Sequence, residues 1–508
     1  MPSIADVIFV ALLCLLVFTP LAVRLLGDAG IGWHIRTGQL ILSTHHIPHT
    51  DPFSSTMAGK PWFAWEWLYD VKVGWLDSAM GLNGEVWYNA LIIAAVFGLT
   101  MHLLVKRGVN AVTAVILLLL AIVASMIHFL ARPHVVSWLF TVAWFAILDQ
   151  CERDSMAGRR ATLWRVWVLP VLMLFWVNFH GGFLVGLVLV GIFWVAALWD
   201  SFRAKEDRIE LTLRRIAARE RSWRLFWVGV VSTGASLINP YGWKLHVHIF
   251  HYLSDRFLMN HIEEFQSPDF HGVAQRCFLV LLLATVATVA CRGRTLRPSS
   301  VLVLLFAVYT GLYSSRNIPV SSLLLVLVIG PLLSPASAGG FSSRMSALQS
   351  GLRGHLWPIA AFAFTLAIAA GGGRLGSAQL MNAHFDPRRM PVEAVNYFEA
   401  HRLTGPILAP DSWGGYLIYR LYPGERVIVD DRHDLYGEEF FKSYLKMIRV
   451  EQGWQQFLDS QYFTLVMFPR NTALTNLLLE SPQWKPIYQD DTAVIFERAA
   501  QIGRPLVP

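Results

Sequence analysis

Charged residues and cysteines are scarce in this sequence. Only 15% of its 508 residues are charged, whereas 55% are hydrophobic. This composition excludes an ordinary soluble globular protein, in which about a quarter of the residues carry charge. The four cysteines lie in apolar segments or in a short connection, so we expect neither a disulfide framework nor a cysteine-based metal site.

Signal-peptide features are also missing at the N-terminus. Residues 4–26 form an apolar run without a basic leading region or a small-residue cleavage site. We therefore interpret this run as a membrane span. The net charge of +7 is explained by basic connections between spans, and we expect no nucleic-acid partner.

Long apolar runs are what the sequence does contain. A helix needs about 20 apolar residues to cross the hydrocarbon core of a bilayer. Eleven runs approach this length, at residues 4–26, 86–105, 111–131, 134–149, 164–180, 182–200, 223–238, 273–291, 299–314, 318–333 and 355–372. The sequence therefore predicts an α-helical polytopic membrane protein with about eleven transmembrane helices.

Basic residues predict the orientation of these spans. They fall in alternate connections, at Lys106–Arg107, 153–160, 203–224, 292–297 and 344–353. Because basic loops stay in the cytoplasm, we expect a cytoplasmic N-terminus and an external C-terminus. Residues 203–222 have the amphipathic pattern of a cytoplasmic helix lying on lipid headgroups.

A small domain follows the last span. We divide the chain into a multi-span domain at 1–375, which includes a large external loop at 27–85, a linker at 376–389 and an α/β domain at 390–508. In the last part, short strands are predicted at 406–409, 426–429, 463–468 and 492–496, between helical segments. We expect this α/β domain to be extracytoplasmic.

Two acidic residues of the first external loop are candidate catalytic groups. Asp28 lies where the first span ends, so its carboxylate could act as a general base toward an acceptor hydroxyl; the alternative is a helix-end cap. Glu66 lies within an aromatic cluster, where burial of an unpartnered carboxylate is costly. It therefore needs a cation, a metal ion or a bound hydroxyl.

Other residues of this loop are candidate acceptor or sugar ligands. Trp33 could stack on a sugar or anchor the loop at headgroup depth. Its neighbour His34 is also a candidate acceptor or sugar ligand. Asp51 precedes a proline, which is typical of a turn that the aspartate closes. His45, His46 and His49 raise the possibility of a divalent cation, but their spacing matches no strong zinc signature, and we assign no metal ligand.

Two arginines at external connections are candidate phosphate ligands. Arg132 and Arg316 each follow an apolar span, and a guanidinium matches the geometry of phosphate oxygens. Either arginine could instead extend to a lipid headgroup. His180 belongs to a tight external turn with two glycines. Its first interpretation is a residue of that turn, and its second is a ligand for a substrate hydroxyl.

Several motifs resemble the GT-C class of integral-membrane glycosyltransferases, in the bacterial branch related to protein mannosyltransferases and the RgtA/B/C/D-like group. The resemblance rests on Asp28 after the first span and on the motifs GWHIRTG at 32–38, PHTDPFS at 48–54, KPW at 60–62 and EWL at 66–68. It extends to WGGY at 413–416 and VDDR at 429–432. It covers nearly the whole chain.

The resemblance implies a sugar donor linked to polyprenyl phosphate and an inverting transfer to a glycan, lipid or protein outside the cytoplasm of a bacterium, at its inner membrane. Asp28 would be the base. Many members carry a second acidic residue beside the first, whereas Ala29 follows here. In the C-terminal domain, Trp413 and Asp430 are candidate acceptor or sugar ligands, or merely shape a turn.

Two other functions are compatible with the sequence. A carrier for a lipid-linked saccharide would place ionisable groups near the middle of the membrane, whereas polar groups here gather at one rim. A scaffold for envelope assembly would bind a protein through the external domain. The glycosyltransferase is the preferred hypothesis.

Overall fold

A computed structural model describes residues 2–203, 209–333, 355–460 and 463–499. The chain divides into two compact units. The helical unit comprises Met1–Thr19, Trp87–Phe129 and Pro133–Gly371. The mixed unit comprises Pro20–Val86, Leu130–Arg132 and Gly372–Pro508, so the first loop and the C-terminal residues share one unit.

The helices of the described residues include one for each of the eleven apolar runs of the sequence. In chain order they are α1 Ile4–Phe18, α2 Leu21–Leu25, α3 Ile31–Thr44, α4 Trp67–Met80, α5 Leu82–Lys106, α6 Ala111–Ser125, α7 His134–Met156, α8 Val168–Phe179, α9 Phe183–Arg203, α10 Ile209–Ser236, α11 Trp243–Ser254, α12 Arg256–His261, α13 Val273–Arg292, α14 Pro298–Tyr313, α15 Ile318–Leu333, α16 Leu356–Ala370, α17 Val392–Ala400, α18 Asp411–Leu421, α19 His433–Ile448, α20 Trp454–Ser460 and α21 Ala473–Glu480.

The apolar helices confirm a multi-span membrane protein. Six helical segments in the described residues are long and apolar enough to cross a bilayer, and four shorter apolar helices accompany them. Each of the eleven predicted spans overlaps one of these segments or, for residues 223–238, the second half of α10. The first is shorter than predicted, because α1 ends at Phe18 and residues from Pro20 onward belong to the mixed unit. Large side chains such as Trp138, Trp144 and Trp176 fill the interior of the helical unit.

The predicted surface helix at 203–222 lies partly outside the described residues. From Ile209 onward it is continuous with the following span as α10. The end of the predicted segment does not lie on lipid headgroups, because the Arg221 side chain is only 2% exposed and pairs with Asp200 at 2.8 Å. That part of the prediction is wrong, since a buried acidic partner holds this arginine inside the helical unit.

A four-stranded sheet forms the centre of the mixed unit and confirms the small α/β domain. Besides a hairpin of β1 Arg374–Leu375 and β2 Ala378–Gln379, the strands are β3 Ile407–Leu408, β4 Leu465–Pro469, β5 Trp484–Gln489 and β6 Ala493–Arg498. Their order is β3-β4-β6-β5, with β3 parallel to β4 and the other pairs antiparallel. The predicted strand at 426–429 forms only bridges, and β5 was not predicted.

The bridges at Val427 connect the first loop to this sheet. Val427 pairs in parallel with Ile407 on one side and with Ser54 on the other. The Ser55 amide also donates to the Val427 carbonyl at 2.9 Å. The first loop therefore extends the edge of the C-terminal sheet, which fixes its position within the mixed unit.

Glycines allow α3 to pack against two other helices at backbone distance. A Cβ on Gly38 would collide with the Asp70 carbonyl of α4, and one on Gly32 would collide with the Gly415 carbonyl of α18. Since only glycine tolerates such an approach, these positions fix how α3 sits between α4 and α18. The start of α3 carries the candidate site.

Candidate functional site

Asp28 lies in the turn between α2 and α3. Its Oδ1 accepts a hydrogen bond from the Gly30 amide at 2.8 Å, which closes the turn that leads into α3. The side chain remains 29% exposed. A turn carboxylate of this kind is held in position by the backbone and still reaches solvent.

Arg132 joins Asp28 to a second carboxylate, that of Asp431. Its Nη2 donates to Asp28 Oδ1 at 2.6 Å and also to Asp431 Oδ2. The adjacent Ala131 amide donates to the Leu25 carbonyl at 2.7 Å, which holds the arginine beside the α2–α3 turn. We call these three side chains the Asp28–Arg132–Asp431 cluster. It contains two carboxylates and one guanidinium.

Asp28 and Asp431 differ in how many of their oxygens are engaged. Both hydrogen bonds that the structure records to Asp28 within the described residues end on Oδ1. Asp431 uses both oxygens, since Oδ1 also accepts from Trp33 Nε1 at 2.9 Å. Oδ2 of Asp28 is therefore the carboxylate oxygen of the cluster best placed to receive a proton from a substrate.

Burial perturbs the protonation of Asp431. Desolvation raises the pKa of its carboxyl to about 6, with a further increase from the charge of Asp28 and an opposing decrease from Arg132. A carboxyl with this pKa changes charge close to neutral pH. Such shifted groups are concentrated at functional sites.

Glycines hold the backbone close to the cluster. A Cβ on Gly30 would collide with the Arg132 guanidinium, and it would lie 2.5 Å from Asp431 Oδ2. A Cβ on Gly415 would collide with the Ala29 carbonyl, and one on Gly414 would lie 2.5 Å from Asp430 Cβ. The glycine pair of the WGGY motif thus lets α18 contact the Asp28 turn. It shapes the site rather than forming an exposed anion-binding turn.

Arg432 ties the first loop to the strand–helix connection that carries Asp431. Its guanidinium, 2% exposed, pairs with Asp51 at 2.8 Å and with Asp430 at 2.7 Å. It lies 4.7 Å from the ring centre of Trp62 and 5.2 Å from that of Phe53. Two carboxylates and stacked rings compensate for its burial, so this arginine fixes Asp431 relative to the loop.

The predicted ligands Asp51 and Asp430 both bind Arg432 and protein groups around it. Asp51 closes its turn by accepting from the Phe53 and Ser54 amides at 3.1 and 3.0 Å. Asp430 accepts from Arg432 and from the Tyr436 hydroxyl at 2.8 Å, and it is fully buried. The neighbouring Asp431, rather than Asp430, reaches the Asp28 cluster.

Glu66, the second predicted catalytic residue, contacts a buried histidine. His34 Nδ1 lies 2.6 Å from Asp70 Oδ1, and its Nε2 lies 3.8 Å from Glu66 Oε2. Burial raises the pKa of Asp70 well above its usual range, and the charge of Glu66 adds to this increase. The His34 ring stacks on Trp33 at 3.6 Å. Trp33 thus links this group to Asp431.

The remaining predicted ligands have protein partners. Trp413 is buried in the mixed unit and donates to the Arg389 carbonyl at 2.8 Å. In the helical unit, Arg316 pairs with Glu264 at 2.8 Å and lies over the Phe265 ring. His180 Nδ1 lies 2.8 Å from the Ser137 hydroxyl and accepts from the Gly182 amide.

No metal centre is assigned. The described ranges contain no group of three or more His, Cys, Asp or Glu side chains placed to hold a metal ion. Asp70 is absent from the predicted site. Asp431 and Arg432 belong to the VDDR motif, whose residues 430–432 the sequence offers as a possible carbohydrate or cation site. The sequence does not show which of the two aspartates is buried against Arg432 and which one faces Asp28.

Comparison with solved structures identifies the fold. No family model and no curated protein sequence matches the chain. The archaeal oligosaccharyltransferase AglB from Archaeoglobus fulgidus, in complex with an inhibitory peptide and a dolichol-phosphate, aligns with 99% of this chain and 74% of its own, at 12% identity and a TM-score of 0.53. ArnT from Cupriavidus metallidurans, bound to undecaprenyl phosphate, aligns over 98% of this chain and 99% of its own, at 16% identity and a TM-score of 0.50.

The chain therefore has the fold of these two structures, the GT-C fold, which confirms the fold that the resemblance of the sequence motifs implies. It is similar to AglB and ArnT over nearly its full length, and at these identities the similarity concerns the fold.

Proposed function

We propose that this protein is a membrane glycosyltransferase that moves a sugar from a polyprenyl-phosphate-linked donor to an acceptor outside the cytoplasm. The observation that carries the proposal is the Asp28–Arg132–Asp431 cluster, in which one partly exposed carboxylate is oriented by a turn and a guanidinium. A fixed base beside a fixed cation is what transfer from a phosphate ester requires.

The donor class is supported by the solved structures of the same fold. AglB was solved with a dolichol-phosphate and ArnT with undecaprenyl phosphate, both of which are polyprenyl-type phosphates. In this chain, Arg132 is the guanidinium next to the proposed base, and its charge would stabilise the phosphate that leaves the sugar. The assignment of Arg316 to a donor phosphate stays a prediction from the sequence.

Asp28 is the general base of the proposed reaction. The acceptor hydroxyl gives its proton to Asp28 Oδ2, and its oxygen forms the new bond to the anomeric carbon. The bond from that carbon to the phosphate oxygen breaks, and its electron pair leaves with the polyprenyl phosphate. Direct displacement inverts the configuration at the anomeric carbon. Proton transfer of this kind contributes about 10²–10⁴-fold to a rate.

The remaining groups position this base. Asp431 and Trp33 hold Arg132 and the start of α3, while Arg432, Asp51 and Asp430 hold the connection that carries Asp431. Glu66 lies beside His34, which also contacts Asp70. Trp33 stacks on His34 and donates to Asp431, so it links these residues to the cluster. We assign Glu66 a positioning role through His34, in place of direct proton transfer.

Deletion of the gene provides the test. Mass analysis of envelope glycans and lipid-linked intermediates should show an accumulated donor lipid and an acceptor that lacks one sugar. Extract from the deletion strain then supplies both substrates for assays with purified protein. Asp28→Asn should lower the transfer rate by about 10²–10⁴-fold, with unchanged membrane insertion and yield. Wild-type transfer by this variant would remove Asp28 from the mechanism.

Asp269→Asn is the matched control. Asp269 also lies in a connection between spans, but it is an exposed turn residue whose carboxylate caps the His271 amide at 3.0 Å. Its substitution should leave the rate unchanged. An equal loss in both variants would point to a general electrostatic effect and not to a base at Asp28.

A further inference from the structure

A second ionic cluster lies in the helical unit, around Asp149 of α7. Three guanidiniums share this carboxylate: Arg107 at 2.8 Å, Arg153 at 3.0 Å and Arg297 at 2.5 Å. The Asp149 and Arg107 side chains are only 3% and 4% exposed. One carboxylate therefore faces three positive charges in a largely buried place, which leaves an excess of positive charge.

The neighbouring acidic groups reduce this excess only in part. Glu152 pairs with Arg297 at 2.7 Å and lies 3.6 Å from Arg221, which itself pairs with Asp200. Three carboxylates are thus shared among Arg107, Arg153, Arg297 and Arg221. Because an uncompensated buried charge is unfavourable, the cluster is suited to an additional anion.

A cavity of about 180 Å³ opens beside this cluster. Four cationic side chains line it: Lys106 and Arg107 at the end of α5, Arg153 of α7, and Arg165 of the 3-10 helix at Arg160–Trp167. Its one acidic lining residue, Asp154, pairs with Arg159 at 2.6 Å. The lining therefore carries a clear positive excess.

Two of these cations are available for a ligand. Lys106 and Arg165 are exposed, and neither has an ion-pair partner among the residues that the structure describes. Cations at helix C-terminal ends complement the helix dipole, which accounts for Lys106 at the end of α5 and for Arg107 directly after it. It does not account for Arg165, which comes from a different helix and converges on the same cavity.

We infer that this cavity binds a phosphate group. Guanidinium and ammonium groups converging from different helices match the tetrahedral oxygens of a phosphate monoester or diester. The predicted topology places these connections on the cytoplasmic side, where basic pockets between transmembrane helices bind the headgroups of anionic lipids. A lipid phosphate and a soluble phosphate compound share this chemistry. The site is separate from the Asp28–Arg132–Asp431 cluster and does not depend on the proposed transfer.

Native mass spectrometry of the full-length protein in detergent tests this site. The probes are phosphatidylglycerol, phosphatidylcholine and inorganic pyrophosphate. The test variant is the double substitution Lys106→Gln and Arg165→Gln, which alters exposed side chains and leaves the Asp149 cluster intact. The control is Arg292→Gln, which removes an exposed charge at the end of α13 that does not line the cavity.

The wild type should bind phosphatidylglycerol more tightly than phosphatidylcholine, and the double variant should lose about tenfold or more of this affinity because two charge-assisted contacts are removed. Arg292→Gln and Asp28→Asn should bind as the wild type does. If pyrophosphate competes with the lipid or binds in its place, with the same loss in the double variant, the phosphate source is soluble. If the double variant bound phosphatidylglycerol and pyrophosphate as well as the wild type does, the inference would be overturned.

Discussion

The two ionic clusters of this protein have opposite compositions. In the mixed unit, one guanidinium is shared by the carboxylates of Asp28 and Asp431. In the helical unit, one carboxylate, that of Asp149, is shared by three guanidiniums. The first cluster has an excess of negative charge and exposes one carboxylate oxygen. The second has an excess of positive charge and borders a cavity.

This difference indicates what each cluster can do. Asp28 keeps one carboxylate oxygen that can receive a proton, because both of its recorded hydrogen bonds end on Oδ1. Asp149 is instead enclosed by three arginines. The excess arginine charge favours an anion. Acid–base chemistry thus belongs to the Asp28 cluster and anion binding to the Asp149 cluster.

Removal of the Asp149 charge should give the largest effect on stability. Asp149→Asn leaves three guanidiniums without their common partner, and the loss of one member of a buried ion pair costs about 3–5 kcal/mol. We expect a clearly lower midpoint in thermal unfolding of the detergent-solubilised protein. Asp491→Asn is the control, because Asp491 is fully exposed in its pair with Arg470 and solvent screens such surface pairs so that they contribute little to stability. Equal midpoints for both variants would show that the buried cluster is not structural.

A methyl group at Gly30 should disturb the other cluster without changing its charges. In Gly30→Ala the new Cβ would collide with Arg132 and crowd Asp431, so one of the two must move. Misplacement by about 1 Å can cost about 10²-fold in rate, and we expect a loss of that order in transfer assays. Gly191→Ala is the control, since the space around that glycine is open. A normal rate for Gly30→Ala would mean that the spacing of the cluster is not critical.

The sequence was sufficient for the apolar helices of this fold and for two members of the cluster, Asp28 and Arg132. Runs of apolar residues predicted the spans because each helix must satisfy its backbone hydrogen bonds internally in lipid. Asp28 could be found because it lies where a span ends. The prediction of β5 failed because its burial pattern alternates poorly, with Lys485 and Pro486 exposed.

The partners of Asp28 depend on contacts that are distant in sequence. Asp431 lies about 400 residues further along the chain, and only the packing of α18 on α3 through Gly32 and Gly415 brings the two together. The VDDR motif shows two adjacent aspartates whose side chains point in different directions, so the sequence does not distinguish their roles. Likewise, the three arginines around Asp149 come from three separate segments of the chain, and only the folded structure brings them to one carboxylate.

The pH dependence of transfer tests how the two carboxylates of the mixed unit are coupled. Because the pKa of Asp431 is raised to about 6, this carboxyl gains a proton as the pH falls below that value. Protonated Asp431 no longer forms an ion pair with Arg132, so the guanidinium that orients Asp28 loses one of its two charged partners. The wild-type rate should therefore fall as the pH decreases through 6, by about tenfold over the pH unit below that value.

Asp431→Asn separates this coupling from a simple role in folding. The variant has no proton to gain at this position, so it should lack the decrease near pH 6. It should be slow already at neutral pH, by about 10-fold or more, because Arg132 has lost its ion pair with residue 431 and no longer holds Asp28 in place. Initial rates with extract from the deletion strain, measured between about pH 5 and 8, give both profiles. If Asp431 only supported the fold, the rate would drop by the same factor at every pH and the decrease near pH 6 would remain. That result would assign the decrease near pH 6 to a titratable group other than Asp431. The two clusters would then differ in their charge alone.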